Sequence, residues 1–392
     1  MSKRIVICCD GTGNEINTTM SNVLKFFRIL EKNEQQKVFY SPGVGTLSLS
    51  NAWQRMRQKW RTLFGLATGY GMDDDILAAY QFLCLEWQPG DKIYLTGFSR
   101  GAYTVRVLAA LIDTIGVLAP EQYNLASYGL TTYKKASGDL PPAGRATALE
   151  NIWSFGRVAG GRQARIEFIG VWDSVASVIV PRMDRLFPSM QTLPFTRTNR
   201  AVKIFRQAIS IDERRRMFRL NRWNSPQNYR PDPYDKACEL SQDIRQIWFA
   251  GVHADVGGGY PESESGLSKY PLNWMLQQAQ QAGLTYDAVA LQAISHGGRL
   301  PHSEEIFVAP DDVGELHDSL TGGWWLLECL PKALRFREWR GRTAFLGWYL
   351  PLGEPRFIAD GALIHTSVQQ RMAAIPAYQP VNLPAHPVWV DE

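Results

Sequence analysis

The segment of the 392-residue chain richest in chemistry is Gly97-Phe98-Ser99-Arg100-Gly101. It follows an apolar run, Lys92-Ile93-Tyr94-Leu95-Thr96, and leads into a helical stretch over 102–115. A strand that turns sharply into a helix lifts a serine Oγ above the sheet edge. It also aims helix-terminal N–H groups at a developing oxyanion. Ser99 is therefore read as a nucleophile. A glycine-rich packing turn is the plainer reading, and the strand–turn–helix setting argues against it.

A serine hydroxyl is a weak nucleophile and needs a base, itself oriented by an acid. The chain has six histidines, His253, His296, His302, His317, His365 and His386. The base must leave the carboxyl end of a core strand on the same edge as Ser99. His253 does so after the apolar run at 246–250. His365 is the alternative, some residues after a weaker run at 356–358. The other four fall in loop-like sequence. For the acid, Asp173 closes the apolar run Ile166–Trp172. Asp255, two residues beyond His253, is the alternative, unless it fixes the backbone of the loop at 257–259. The order Ser99, Asp173, His253 is the usual one for α/β hydrolases.

The first loop, Asp10-Gly11-Thr12-Gly13-Asn14, follows an apolar run at 5–9. Small residues there let backbone amides approach a substrate oxygen. Gly11 and Thr12, with the amide of Arg100, are the expected oxyanion hole. The plainer reading is a tight strand exit that Asp10 caps or orients. Asp-Gly-Thr after a first strand superficially resembles the haloacid-dehalogenase-type phosphatases. Their nucleophilic aspartate stands two residues earlier, where this chain has Cys8, which counts against a metal-dependent phosphatase.

These residues require a frame. Apolar runs at 5–9, 37–40, 92–96, 165–171 and 246–250 each end in a glycine or acidic turn, and 356–358 is a weaker sixth. Helical stretches at 21–32, 73–87, 102–115 and 272–282 fit between them. Ser21 is a cap and three aspartates open the second helix, at the positive end of its dipole. Near-continuous apolar strands alternating with helices predict a mostly parallel sheet covered on both faces, an α/β-hydrolase-like fold. One domain spanning 1–392 is expected. Residues 186–245, rich in Arg, Pro and Asn, read as a cap insertion. Residues 311–355, dense in tryptophan, read as a cap or C-terminal elaboration.

Composition excludes other classes. The chain is 45% hydrophobic, 20% charged and 11% aromatic, with a net charge of +4. That suits a globular enzyme and is too weakly basic to indicate nucleic acid. Five cysteines, two adjacent in one strand, read as buried free thiols rather than disulfides. No signal-peptide core opens the chain, and no run of about 18 apolar residues occurs. A cytoplasmic protein is expected, with export lacking a cleaved signal as the alternative. Residues 51–66 carry Trp53, Met56, Trp60, Leu63 and Phe64 among Arg55, Arg57, Lys59 and Arg61. As a helix this is amphipathic and basic. Packing on the core or at a dimer interface is the commoner fate of such a segment. A lid or peripheral membrane contact, joined by Trp324-Trp325-Leu326-Leu327, is the second.

Five segments in order carry a family resemblance. They are Cys9-Asp10-Gly11-Thr12-Gly13-Asn14, Gly43-Val44-Gly45-Thr46, Gly97-Phe98-Ser99-Arg100-Gly101-Ala102-Tyr103, Gly170-Val171-Trp172-Asp173-Ser174-Val175 and Gly251-Val252-His253-Ala254-Asp255-Val256-Gly257-Gly258-Gly259-Tyr260. Together they resemble the uncharacterised α/β-hydrolase family related to the catalytic domains of type VI secretion phospholipase effectors. The likeness spans about residues 5–265, with Ile364-His365-Thr366-Ser367-Val368 as a further element. It implies a Ser/Asp/His triad, which falls on Ser99, Asp173 and His253, and ester hydrolysis with phospholipids as a substrate class. It departs from the family at Gln207, where a related segment often begins with histidine. It also lacks the long membrane-targeting region of the larger secreted effectors, which weakens the case for a toxin. The expectation is a serine carboxylester hydrolase of esterase, lipase or phospholipase type, needing no metal or organic cofactor. A non-catalytic binding or scaffold protein on the same fold is the rival.

Overall fold

Strand β1, Arg4–Cys9, sets the architecture. In this computed structural model Ile5, Ile7 and Cys9 enter one hydrophobic core, and Val6 and Cys8 enter another. Alternate residues of a strand face opposite ways, so β1 must lie inside a sheet covered on both sides. The structure describes residues 2–11, 19–43, 71–136, 140–175, 179–180, 189–190, 193–235, 237–334, 337–339 and 343–391. Thr12 and the amphipathic stretch at 51–66 lie outside the described residues.

Seven further strands join β1. They are β2 Gln36–Ser41, β3 Lys92–Phe98, β4 Ile166–Trp172, β5 Val202–Ser210, β6 Asp243–Phe249, β7 Leu363–His365 and β8 Val388–Val390. Their order across the sheet is β2-β1-β3-β4-β5-β6-β7-β8, and every pairing is parallel. The helices that lead the chain back are α1 Asn22–Ile29, α2 Met72–Glu86, α3 Ser99–Ile115, α4 Ala126–Lys135 and α5 Pro142–Val158. After them come α6 His253–Gly257, α7 Lys269–Gln281, α8 Ala288–His296, α9 Trp324–Glu328 and α10 Thr366–Ala374. Helices α2 to α5 cover one face of the sheet, and α1, α7 and α8 cover the other. A third cluster packs α10 against β6 and β7 at the far edge.

The chain runs from β1 to β2 on one side and returns to β3 on the other. Such a reversal of strand order opens a crevice beyond the carboxyl ends of the strands, where α/β sheets bind ligands. Ser21 caps α1 as expected, its Oγ accepting the Leu24 N–H at 3.0 Å. No helix among the described residues is long and apolar enough to cross a membrane.

Three expectations need correction. Residues 186–245 are not one cap, because β5 within them is a central strand between β4 and β6. Its buried polar side chains find partners: Arg206 binds Asp243 and Gln278, and Gln207 binds Arg106. The run at 356–358 forms no strand, and the sheet edge is made by β7 and β8 instead. Cys8, Cys9 and Cys84 are buried free thiols, but Cys238 and Cys329 are exposed.

Candidate active site

The turn at the end of β3 is built around two missing side chains. A Cβ on Gly101 would stand 2.1 Å from the Cys9 carbonyl oxygen, and one on Gly97 would stand 2.6 Å from that of Gly101. Only glycine allows α3 to start so close to β1 and to its own strand. Ser99 sits in this turn with φ +56°, a left-handed conformation that costs a non-glycine residue of the order of 1–3 kcal/mol. It is partly exposed between buried neighbours Phe98 and Gly101.

Sheet register brings the candidate acid alongside. Phe98 pairs with Trp172, so Ser99 and Asp173 are the next residues of adjacent strands. Asp173 also has positive φ, +34°, and its N–H donates to the Ala208 carbonyl. His253 opens α6 beyond β6 and reaches back over the end of β5. Its Nδ1 lies 2.5 Å from Asp173 Oδ2. The imidazole is held between Phe98, at 4.6 Å between ring centres, and Phe218, edge-on at 4.7 Å. The His253 backbone N–H donates to Glu213 Oε2 at 3.2 Å.

Two residues the sequence did not single out complete this network. Arg356 grips Asp173 with both guanidinium nitrogens, at 2.5 and 3.0 Å, and also donates to Ser210 Oγ and the Phe218 carbonyl. Glu213 is buried and paired with Arg215, whose guanidinium lies 3.6 Å above the Phe218 ring. Trp324, from the tryptophan-dense region, meets Phe218 edge-on at 5.6 Å. The one available signal was an arginine in an otherwise apolar setting, Pro355-Arg356-Phe357-Ile358.

Electrostatics follow from these contacts. Burial would push the Asp173 carboxyl up, but the Arg356 guanidinium and then His253 outweigh it, so the group stays ionised well below the usual carboxylate range. Burial pulls His253 below its ordinary 6.5, against the opposing pull of Asp173. Burial outweighs the pull of Asp173, so the carboxylate orients the imidazole without holding it protonated. A neutral, oriented imidazole can accept a proton.

The remaining candidates fall elsewhere. Asp255, the alternative acid, accepts the Val252 N–H at 2.9 Å and contacts His317 at 2.7 Å, not His253. His365 ends β7, four strands from β3, where it stacks on Phe249 and contacts Ser367 Oγ. Gly11 does lie against Ser99, since a Cβ there would be 3.2 Å from the serine Cβ. Its amide donates to Asp10 Oδ1 at 2.6 Å. Asp10 is an organiser, also accepting from Ser21 Oγ and Tyr40. Arg100 lies in the first turn of α3, where backbone N–H groups point out of the helix end. Gln207 is buried in β5 opposite Val171, not at the strand's exit. Cys8, at the position of the phosphatase aspartate, is sealed in the core, and burial pushes its thiol up to about 12.

Known proteins resemble this chain. An uncharacterized protein of Saccharomyces cerevisiae is 23% identical over an alignment of 563 positions, covering 98% of this chain and 81% of the relative. Among solved structures, an uncharacterized protein from Pseudomonas aeruginosa matches 73% of this chain at 18% identity, with a TM-score of 0.36. The Tle1 effector bound to the VgrG spike of the type 6 secretion system matches 76% at 16% identity, with a TM-score of 0.31. The chain spans 46% and 62% of those two solved chains. The model of the T6SS phospholipase effector Tle1-like catalytic domain matches residues 3–278, well over half of the sequence. The chain belongs to the Tle1-like catalytic-domain family of T6SS phospholipase effectors.

Proposed function

We propose that this chain is a serine carboxylester hydrolase that cleaves phospholipid acyl esters. The observation that carries the reading is the buried Asp173–His253 contact, one strand from the Ser99 turn and at the same level of the sheet. Ser99 Oγ attacks the ester carbonyl while His253 takes its proton. The Arg100 amide, with a donor from the Thr12 loop, stabilises the oxyanion. The tetrahedral intermediate collapses, the C–O bond to the leaving alcohol breaks, and His253 returns the proton to that alcohol. A water then repeats the sequence on the acyl-enzyme and releases the fatty acid.

Family membership supports the substrate class. Exposed Trp325, Leu326, Phe345, Leu346, Leu350 and Leu352 add apolar surface in the segment that reaches the site through Trp324, which suits a lipid interface. The test is labelling by a fluorophosphonate probe, together with turnover of a short-chain p-nitrophenyl ester and of phospholipid vesicles. Wild type is expected to show all three and Ser99→Ala none. Labelling that persists in Ser99→Ala moves the nucleophile elsewhere. A folded wild type that neither labels nor turns over makes the chain a binding protein on a hydrolase fold.

A further inference from the structure

Three carboxylates converge on one imidazole beside α6. His317 Nδ1 lies 2.7 Å from Asp255 Oδ1, and the His317 N–H reaches Asp255 Oδ2 at 3.4 Å. On the other side of the ring, Nε2 is 3.2 Å from Glu264 Oε2. Donor atoms of Glu264, Glu315 and His317 all lie within 4.8 Å of one another. The Tyr260 ring lies flat on the imidazole at 3.5 Å and fixes its plane. Among the described residues no arginine or lysine pairs with Asp255, Glu264 or Glu315. Elsewhere the fold supplies such a partner: Asp173 meets Arg356, Glu213 meets Arg215, and Glu262 meets Lys25 and Lys269.

We propose that Glu264, Glu315 and His317 bind a divalent transition-metal ion, zinc or manganese, with Asp255 holding the histidine from behind. A metal-bound histidine characteristically donates its other ring N–H to a carboxylate, which fixes the tautomer and turns the second nitrogen's lone pair toward the ion. Asp255 is buried and meets Nδ1 in that way. One imidazole nitrogen with two carboxylates suits a borderline ion rather than calcium or magnesium, which favour oxygen alone. Donors about 2.1 Å from a tetrahedral centre stand about 3.4 Å apart, close to the observed 3.2 Å. Without an ion, three negative groups face at most one positive charge. Glu315 is exposed and Glu264 partly so, which leaves room for water to complete the shell.

The ion would be a staple rather than a reactant. It would join the loop carrying Glu315 and His317 to the segment that begins at His253. Ser319 on the same loop reaches Glu213, the acceptor of the His253 N–H. The proposal does not depend on the hydrolase reading, and Ser99→Ala is expected to bind the ion unchanged.

The test starts from the full chain freed of metal by a chelator. Zinc chloride is titrated in by calorimetry, and cobalt is added as a visible-spectrum probe. Wild type is expected to bind one ion, to show the cobalt absorption of a nitrogen–oxygen site, and to melt at a higher temperature when loaded. His317→Gln should abolish the cobalt spectrum. Asp255→Asn should weaken zinc by about 10–100-fold. Glu264→Gln with Glu315→Gln, both near the surface, provides a variant whose fold circular dichroism can verify. A wild type that takes up no ion overturns the proposal. So does a double variant that binds as wild type does, because the ion then sits elsewhere, for instance on the exposed thiols of Cys238 and Cys329. Either result leaves His317 as a histidine hydrogen-bonded between Asp255 and Glu264.

Discussion

Two imidazoles in this molecule rest on buried aspartates, and the acids they touch differ in what stands behind them. His253 meets Asp173 at 2.5 Å and His317 meets Asp255 at 2.7 Å. Asp173 also carries Arg356, and among the described residues Asp255 carries no guanidinium. The outcomes are opposite. Burial lowers His253, and the pull of Asp173 does not reverse it. Burial opposes the charging of His317 as well, but there Asp255 and then Glu264 prevail and its pKa is raised. The same pair of side chains thus gives a neutral proton acceptor in one place and a cation-seeking cluster in the other. The depth at which each ring is buried, together with the number of carboxylates around it, decides between them.

That comparison can be broken at several points. The largest effect belongs to Asp173→Asn, expected to lower kcat about 10⁴-fold, since the imidazole loses its orientation and tautomer. A loss below tenfold removes Asp173 from the acid's role. Arg356→Met comes next. Leaving the buried Asp173 charge unpaired should destabilise the fold by about 3–5 kcal/mol, read as a lower Tm. In whatever protein remains folded, the bare carboxylate favours the charged imidazole, so the His253 pKa rises. The acid limb of kcat/KM, set below 6.5 in wild type because His253 must be neutral to act, should then move to higher pH. A limb that stays in place or moves down shows that Arg356 does not tune the base. His365→Gln is the smallest. It removes a helix cap and should cost about 1 kcal/mol of stability with activity within about twofold of wild type. A collapse of turnover there transfers the base to His365.

Legibility in the sequence followed polarity. β1, β2, β3, β4 and β6 stood out because each reads as an apolar run broken by a glycine or acid. β5 did not, because Lys203, Arg206 and Gln207 interrupt it. Arg206 and Gln207 are tolerable inside only because Asp243, Gln278 and Arg106 answer them, and partners that distant leave no periodic trace. Short edge strands such as β7 carry too few residues to show a pattern. Among the candidate site residues, Ser99 and Asp173 were readable because each directly follows a strand, and His253 because it comes shortly after one. Arg356 and Glu213 were not, since their contacts cross from loops. At Gly11, nothing in the sequence says that the neighbouring Asp10 carboxylate takes up its amide.

The guanidinium on Asp173 comes from 183 residues further along the chain, and the matched family segment closes at residue 278. A fragment cut at that point keeps the serine, the aspartate and the histidine. It loses the counterion that keeps the aspartate ionised. The unit visible to descent and the unit that is electrically complete therefore have different lengths, and a minimal version of this protein has to be trimmed by charge rather than by similarity.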